Sequence, residues 1–306
     1  MTLTELRYIV ALARTRHFGR AAEACFVSQP TLSVAVRKLE SELGVALFER
    51  RRQEAVPTPA GARIVEQAQR VLEEAERIRL FADESRDPLV GPLRLGAIYT
   101  IGPYVLPQLI PALHERAPQM PLVIEEGYTA QLSERLRLGE LDAILIALPF
   151  EAPGLVTLPL YHEPFMVVVP ADHPWRAREA IDPAELASEP LLMLGQGHCF
   201  RDQVLDACPA CAARLEQGPL GQTVAGTSLE TLRHMVASGL GITVLPCSAV
   251  GAERYAQRLL VTRRFREPAP GRRVALAWRK SFPRPGAIDA LREALMSGLS
   301  SCLKPV

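Results

Sequence analysis

The chain lacks several features that would fix its class at once. No apolar run approaches the roughly 20 residues that a membrane helix needs; the longest, Ala143 to Phe150, stops far short. The first apolar stretch is broken by Glu5, Arg7, Arg14 and Arg16, so it reads as an amphipathic helix and not as a signal peptide. A cytoplasmic protein is expected. Net charge is nearly missing too, at +1 over 306 residues, so any basic surface for nucleic acid has to be local. No internal repeat or low-complexity tract is visible. Without an export signal the six cysteines face a reducing cytosol. A structural disulfide framework is not expected there, and a reactive or metal-binding cysteine is the more informative reading.

What is present divides into three zones by composition. Residues 1–57 are helical and end near a basic cluster, Arg50-Arg51-Arg52. Residues 58–86 read as one long charged helix, opened by the capping pair Thr58-Pro59. Its apolar residues Ile64, Ala68, Val71, Ala75, Ile78 and Ala82 alternate steps of four and three, a heptad seam that fits a dimerising helix and also one packed on its own domain. From residue 87 to 306, short apolar runs at Leu93–Ile98, Leu122–Ile124, Ala143–Leu148, Phe165–Val169 and Val274–Trp278 alternate with helical stretches. That alternation predicts an α/β domain with mostly parallel sheets, long enough for two lobes and a cleft.

In the first zone a helix over Leu3–Thr15 is followed by a second near Phe18, carrying Ala21, Ala22 and Cys25. Ser28 is a good N-cap for a third, with Pro30 tolerated in its first turn. Leu32, Val36, Leu39 and Leu43 form the inner face of that helix, and Gln29, Thr31, Ser33, Val34 and Arg37 the outer. Glutamine can pair with adenine and arginine with guanine or phosphate, while short side chains let a helix sit deep in the major groove. Leu47 through Val56 would form a wing whose arginines grip phosphates. Pattern alone also fits a small helical domain that touches no nucleic acid.

The residues themselves go further. Phe18-x-x-Ala21-Ala22, Ser28-Gln29-Pro30-Thr31-Leu32-Ser33, Leu39-Glu40-x-x-Leu43-Gly44-x-x-Leu47-Phe48-Glu49-Arg50 and Thr58-Pro59-Ala60-Gly61 together resemble the LysR-type transcription regulators. Leu138 to Ala143 and Gly239 to Pro246 resemble the effector-domain landmarks of that family. The resemblance implies an N-terminal all-α winged helix-turn-helix, a long linker helix, and an α/β two-lobed domain like periplasmic binding proteins. It also implies an effector site between the lobes and a homo-oligomer, usually a tetramer built as a dimer of dimers, acting on double-stranded promoter DNA and RNA polymerase.

A second motif lies at Gly197-His198-Cys199-Phe200-Arg201-Asp202. Leu191–Leu194 reads as a strand, Gly195-Gln196-Gly197 as a turn, and a helix then starts near His198. Cys199 would sit at a helix N-terminus beside His198 and near Arg201, each of which favours the thiolate. A single cysteine is also, and more often, an inert core residue. If residues 199 to 208 stay helical, their Cα atoms lie roughly 13 Å apart. A disulfide needs about 5.5–6 Å, so joining Cys199 to Cys208 would require remodelling.

This segment resembles the OxyR-type hydrogen-peroxide sensors within the LysR family. The resemblance implies that Cys199 is oxidised by peroxide and that Cys208 resolves its sulfenic acid into a disulfide. It further implies that Thr100, Thr129, His198, Asp202 and Arg266 bind the peroxide or stabilise the departing hydroxide. Read without it, the two threonines are equally well helix caps. The pair Cys208-Pro209-Ala210-Cys211 departs from the pattern: Cys211 could compete with Cys208 or pass the disulfide onward. No metal site and no cofactor are expected, since a lone C-x-x-C lacks two further ligands for zinc. Two other readings stay open: a LysR-type regulator with a small metabolite in its cleft, and a thiol peroxidase that carries a DNA-binding domain.

Overall fold

The computed structural model describes residues 1–50, 54–82, 88–217, 225–250 and 259–306. Thr2 and Glu5 form a reciprocal cap, the Thr2 hydroxyl accepting from the Glu5 amide and the Glu5 carboxylate from the Thr2 amide. That cap starts α1 (Leu3–Thr15), which packs with α2 (Phe18–Ala24) and α3 (Gln29–Leu43) around Ile9, Leu12, Leu32 and Leu39. Ser28 caps α3, Pro30 lies in its first turn, and Gly44 ends it at φ 70°, a conformation that costs glycine little. β1 (Phe48–Arg50) and β2 (Ala55–Pro57) pair antiparallel to make the wing, with Phe48 opposite Pro57. Arg50 closes β1, while Arg51 and Arg52 fall outside the described residues.

α4 (Pro59–Ala82) is the long helix expected from the sequence, starting at Pro59. Its first turns are not independent of the helix-turn-helix, because Val65 and Ala68 are buried in the same core. Further along, the seam turns outward: Val71 is 37% exposed and Ile78 70%.

The rest of the chain builds two cores. In the first, β3 (Leu93–Ile98) lies between parallel β4 (Leu122–Gly127) and β5 (Ala143–Ala147), with α5 (Gly102–Arg116) and α6 (Thr129–Arg137) against the sheet. The chain crosses on β6 (Leu155–Pro170) to a second lobe. That lobe holds β7 (Ala180–Ile181), β8 (Leu191–Leu194), α7 (Cys199–Ala207), α8 (Pro209–Gln217), β9 (Ala225–Gly226), α9 (Leu229–Ala237), β10 (Ile242–Pro246), α10 (Cys247–Val250) and β11 (Leu260–Phe265). It returns on β12 (Gly271–Arg279) to α11 (Pro285–Ser297) and β13 (Lys304–Pro305) in the first lobe.

Each lobe has its parallel pairs, but the sheet as a whole is mixed, not mostly parallel as expected. The outgoing strand β6 and the returning strand β12 run antiparallel from Gly271 opposite Pro164 to Arg279 opposite Leu155. A two-lobed domain entered once and left once requires two such opposed crossings. Pro159, His162, Glu163 and Pro164 interrupt the apolar pattern of β6, so only its last part, Phe165–Val169, is visible as a strand in the sequence.

Two cysteine pairs are joined, which the sequence did not lead us to expect: Cys208 with Cys211 and Cys247 with Cys302, their Cα atoms 5.3 and 6.3 Å apart. A compartment argument carries no information about which thiols the fold brings together. The second bond ties α10 to the tail just before β13 and closes a loop with a sequence separation of 55. Closing a loop of that length restricts the unfolded chain by about 4 kcal/mol. Cys302→Ser should therefore lower the unfolding free energy by about that amount in oxidising buffer and change little under dithiothreitol. Equal stability of mutant and parent in both buffers would show that the bond contributes nothing.

Candidate functional site

β8 ends in the turn Gly195-Gln196-Gly197, and the turn launches α7 at Cys199. Gly197 has φ 94°, a conformation that favours glycine, and a Cβ there would press on the Tyr128 ring at 3.3 Å. His198, the residue before the helix, is 6% exposed and packs edge-on against Tyr128 at 4.8 Å and beside Tyr99 at 6.0 Å. Burial lowers its pKa from the ordinary 6.5, which keeps the imidazole neutral. A neutral His198 lends no positive charge to Cys199 in this state. The Arg201 guanidinium is turned back, donating to the Leu194 carbonyl at 2.9 Å.

The other lobe supplies the threonines. Thr129 is the first residue of α6, and its hydroxyl donates to the Cys199 sulfur at 3.8 Å. Thr100 follows β3 and is 2% exposed. Its hydroxyl accepts from Arg272 Nη1 at 2.8 Å and its carbonyl from Nη2 at 2.8 Å. Having accepted from the arginine, that hydroxyl still has a proton to donate. Thr100, Thr129, His198 and Cys199 border one small cavity with about 10 Å³ of room for the centre of a water-sized molecule. That is space for about one such molecule.

Asp202, one turn along α7, is exposed and borders a wider cleft of about 520 Å³ that also meets Thr129, Ser133, Arg137, Phe150 and Cys199. Arg266 is placed elsewhere. It lies just beyond β11, 60% exposed, paired with Asp182 at 3.2 Å, and borders neither cavity. Cys208 is fully buried after the end of α7 and bonded to Cys211, not to Cys199. The residue that sequence reasoning missed is Arg272. In the sequence it merely flanks the run Val274–Trp278; only the pairing of β12 with β6 sets it opposite Glu163, at 2.7 Å and fully buried.

α6 also has a far end. The Leu138 carbonyl just beyond it accepts from Arg14 Nε of α1 at 3.0 Å, and Glu134 pairs with Arg16 at 3.1 Å. Buried Arg279 donates to the carbonyls of Leu136 and Leu141 and pairs with Glu73 of α4. On the helix-turn-helix, α3 exposes Gln29, Pro30, Thr31, Val34 and Arg37, with Ser33 half-buried among them. Thr31 is partly committed to the cap, its hydroxyl 2.8 Å from that of Ser28.

Known proteins share these features along the whole chain. Residues 3–62 match the bacterial regulatory helix-turn-helix protein of the lysR family, and residues 86–300 match the LysR substrate binding domain. The chain belongs to the LysR family of transcription regulators. Within it, the DNA-binding transcriptional dual regulator OxyR of Escherichia coli K12 is 43% identical over 296 residues, 96% of this chain and 95% of that protein. Full-length OxyR of Pseudomonas aeruginosa, solved as a cysteine-to-aspartate mutant, superposes with a TM-score of 0.88 at 56% identity, covering 100% of this chain and 98% of that one. A hydrogen-peroxide-bound cysteine-to-serine mutant of Corynebacterium glutamicum OxyR gives a TM-score of 0.63 at 36% identity, over 97% and 92% of the two chains. Among the described residues no helix is long and apolar enough to cross a membrane.

Two outcomes test this geometry. Arg272→Met leaves Glu163 as a buried, unpaired charge and should cost about 3–5 kcal/mol of stability in denaturant unfolding; a cost below about 1 kcal/mol would mean the pair is solvated. His198 has its folded-state pKa below 6.5, so as pH falls past 6.5 the unfolded chain takes up its proton first. Stability should fall on that side, and His198→Asn should flatten the slope. An unchanged slope in the mutant would show that His198 ionises freely in the fold.

Proposed function

We propose that the protein is a DNA-binding transcription regulator that senses hydrogen peroxide at Cys199 and activates antioxidant genes. The observation that carries this reading is the Thr129 hydroxyl set on the Cys199 sulfur at the rim of a small cavity, with room for about one water-sized molecule, which Thr100 also borders. Hydrogen peroxide has two oxygens, each both donor and acceptor, and two hydroxyls can serve both. The Cys199 thiolate attacks one oxygen, giving a sulfenic acid and releasing hydroxide. Cys208 then condenses with the sulfenic acid to a disulfide and water. Over the nine steps from Cys199 to Cys208, an intact helix holds the Cα atoms roughly 13 Å apart. The bond therefore forms only as α7 opens, and that opening is the switch. His198 and Asp202 flank the reacting sulfur and orient the peroxide; Arg266 joins them only after leaving Asp182.

The output is on DNA. Gln29, Pro30, Thr31, Ser33, Val34 and Arg37 of α3 meet the major groove, with Arg50, Arg51 and Arg52 of the wing on phosphates. Domains at 1–57, 58–86 and 87–306 divide the work. The exposed Val71 and Ile78 on α4 support pairing with a second copy, and two dimers form the tetramer. The protein works in the cytoplasm, where it meets promoter DNA and RNA polymerase. One peroxide is consumed per switching event, so the chain is a regulator and not a peroxidase.

Reduced protein treated with a small excess of hydrogen peroxide should form a Cys199–Cys208 bond, seen by peptide mass spectrometry, and change its operator footprint. Cys199→Ser should do neither. If Cys199 stays reduced at micromolar peroxide, the reading fails, and a metabolite in the wider cleft takes its place. Arg37→Ala should weaken operator binding by about 1–3 kcal/mol in a gel-shift titration at fixed salt; unchanged affinity would remove Arg37 from the interface.

A further inference from the structure

Cys211 has no part in the peroxide reaction set out above, yet it is the residue to which Cys208 is bonded. Cys208 follows the last residue of α7 and Cys211 lies in the first turn of α8, with the Cys211 amide donating to Cys208 Sγ at 3.3 Å. Both are buried in the core of the second lobe. With this bond in place α7 runs unbroken from Cys199 to Ala207, and Thr129 keeps its contact with the Cys199 sulfur. A Cys208–Cys211 disulfide thus fits the folded lobe. A Cys199–Cys208 disulfide does not, because an intact α7 sets those Cα atoms roughly 13 Å apart and a disulfide needs about 5.5–6 Å.

We infer that Cys211 is a third redox-active cysteine, which takes the disulfide over from Cys199 and so ends the Cys199–Cys208 state from within; this rests on the Cys199–Cys208 reading above. The Cys199 thiolate and hydrogen peroxide give the Cys199 sulfenic acid and hydroxide. The sulfenic acid and the Cys208 thiol give the Cys199–Cys208 disulfide and water. The Cys211 thiolate then attacks Cys208 Sγ, forming the Cys208–Cys211 bond and expelling the Cys199 thiolate. No further oxidant or reductant enters the exchange.

Proximity and folding both favour that last step. Three residues of chain span at most roughly 10–11 Å even when fully extended. Opening α7 therefore cannot carry Cys211 far from Cys208. Once Cys199 is expelled, α7 can rewind and bury Phe200 and Val204 again, as they are found here at 2% and 3% exposure. The oxidation moves from a bond that breaks the helix to one the helix tolerates. Until a dithiol reductant opens the Cys208–Cys211 bond, a second peroxide at Cys199 meets no resolving thiol.

The test uses full-length protein, reduced and freed of reductant, mixed with one equivalent of hydrogen peroxide and quenched with an alkylating agent at intervals before digestion. In the parent protein the Cys199–Cys208 bond should rise and then be lost to a Cys208–Cys211 bond within one peptide, with Cys199 alkylatable again. In Cys211→Ser and Cys211→Ala the Cys199–Cys208 bond should accumulate and persist, and the oxidised footprint with it. A Cys199–Cys208 bond as persistent in the parent as in both variants overturns the exchange, and so does a direct Cys199–Cys211 bond. If Cys199 is oxidised in both variants but never bonds to Cys208, the resolving role of Cys208 falls, and the exchange with it.

Discussion

The guanidinium of Arg272 is the group on which the site's geometry depends. It lies where the two crossing strands pair, opposite Glu163, with both side chains essentially removed from water. Such a pair is expensive to desolvate and is tolerated only when the remaining donors and acceptors are also satisfied. Here they are. Nε donates to Glu163, Nη1 to the Thr100 hydroxyl and Nη2 to the Thr100 carbonyl, while the other Glu163 oxygen accepts from the amide and hydroxyl of Ser248. The Phe200 ring lies 5.3 Å from the guanidinium carbon. One charge thereby fixes Thr100 of the first lobe, the start of α7 in the second, and α10.

Much of the architecture was legible because it rests on local chemistry. Caps at Ser28 and Thr58-Pro59, the apolar spacing of α1, α3 and α4, and the run Leu93–Ile98 are all short-range signals, and the structure has elements where they point. The candidate site was legible only in part. Cys199 carries a motif-level mark, whereas Thr129 and Thr100 are implied only by the family resemblance; Thr129 meets the Cys199 sulfur, and Thr100 joins them through a cavity wall. Arg272 and Glu163 carry none, being 109 residues apart and paired only through strand register. The same holds for Cys247 and Cys302. Arg266 shows the converse case. A family position was carried over, but in this conformation a nearby carboxylate, Asp182, holds the side chain. His198 stands beside Cys199 as expected, but its burial, which keeps the imidazole neutral, is not visible in the sequence.

α6 joins the two activities of the chain within nine residues, roughly 14 Å of helix. Its first residue touches the Cys199 sulfur; its last turn and the carbonyls beyond it are held by Arg14, Arg16 and Arg279. Arg14 and Arg16 belong to the helix-turn-helix, and Arg279 is paired to Glu73 of the linker helix. The stretch from Thr129 to Leu138 thus reaches from the Cys199 sulfur to α1 through direct contacts.

A rod held at both ends works in either direction. Equilibrium linkage requires that, if the state of the sulfur changes operator affinity by some factor, operator binding changes the equilibrium of the sulfur by the same factor. The promoter is then a ligand of the redox site in its own right. Copies of the protein seated on different operators would hold their thiols at different poise, and the genome would set the threshold at which each of its own sites responds.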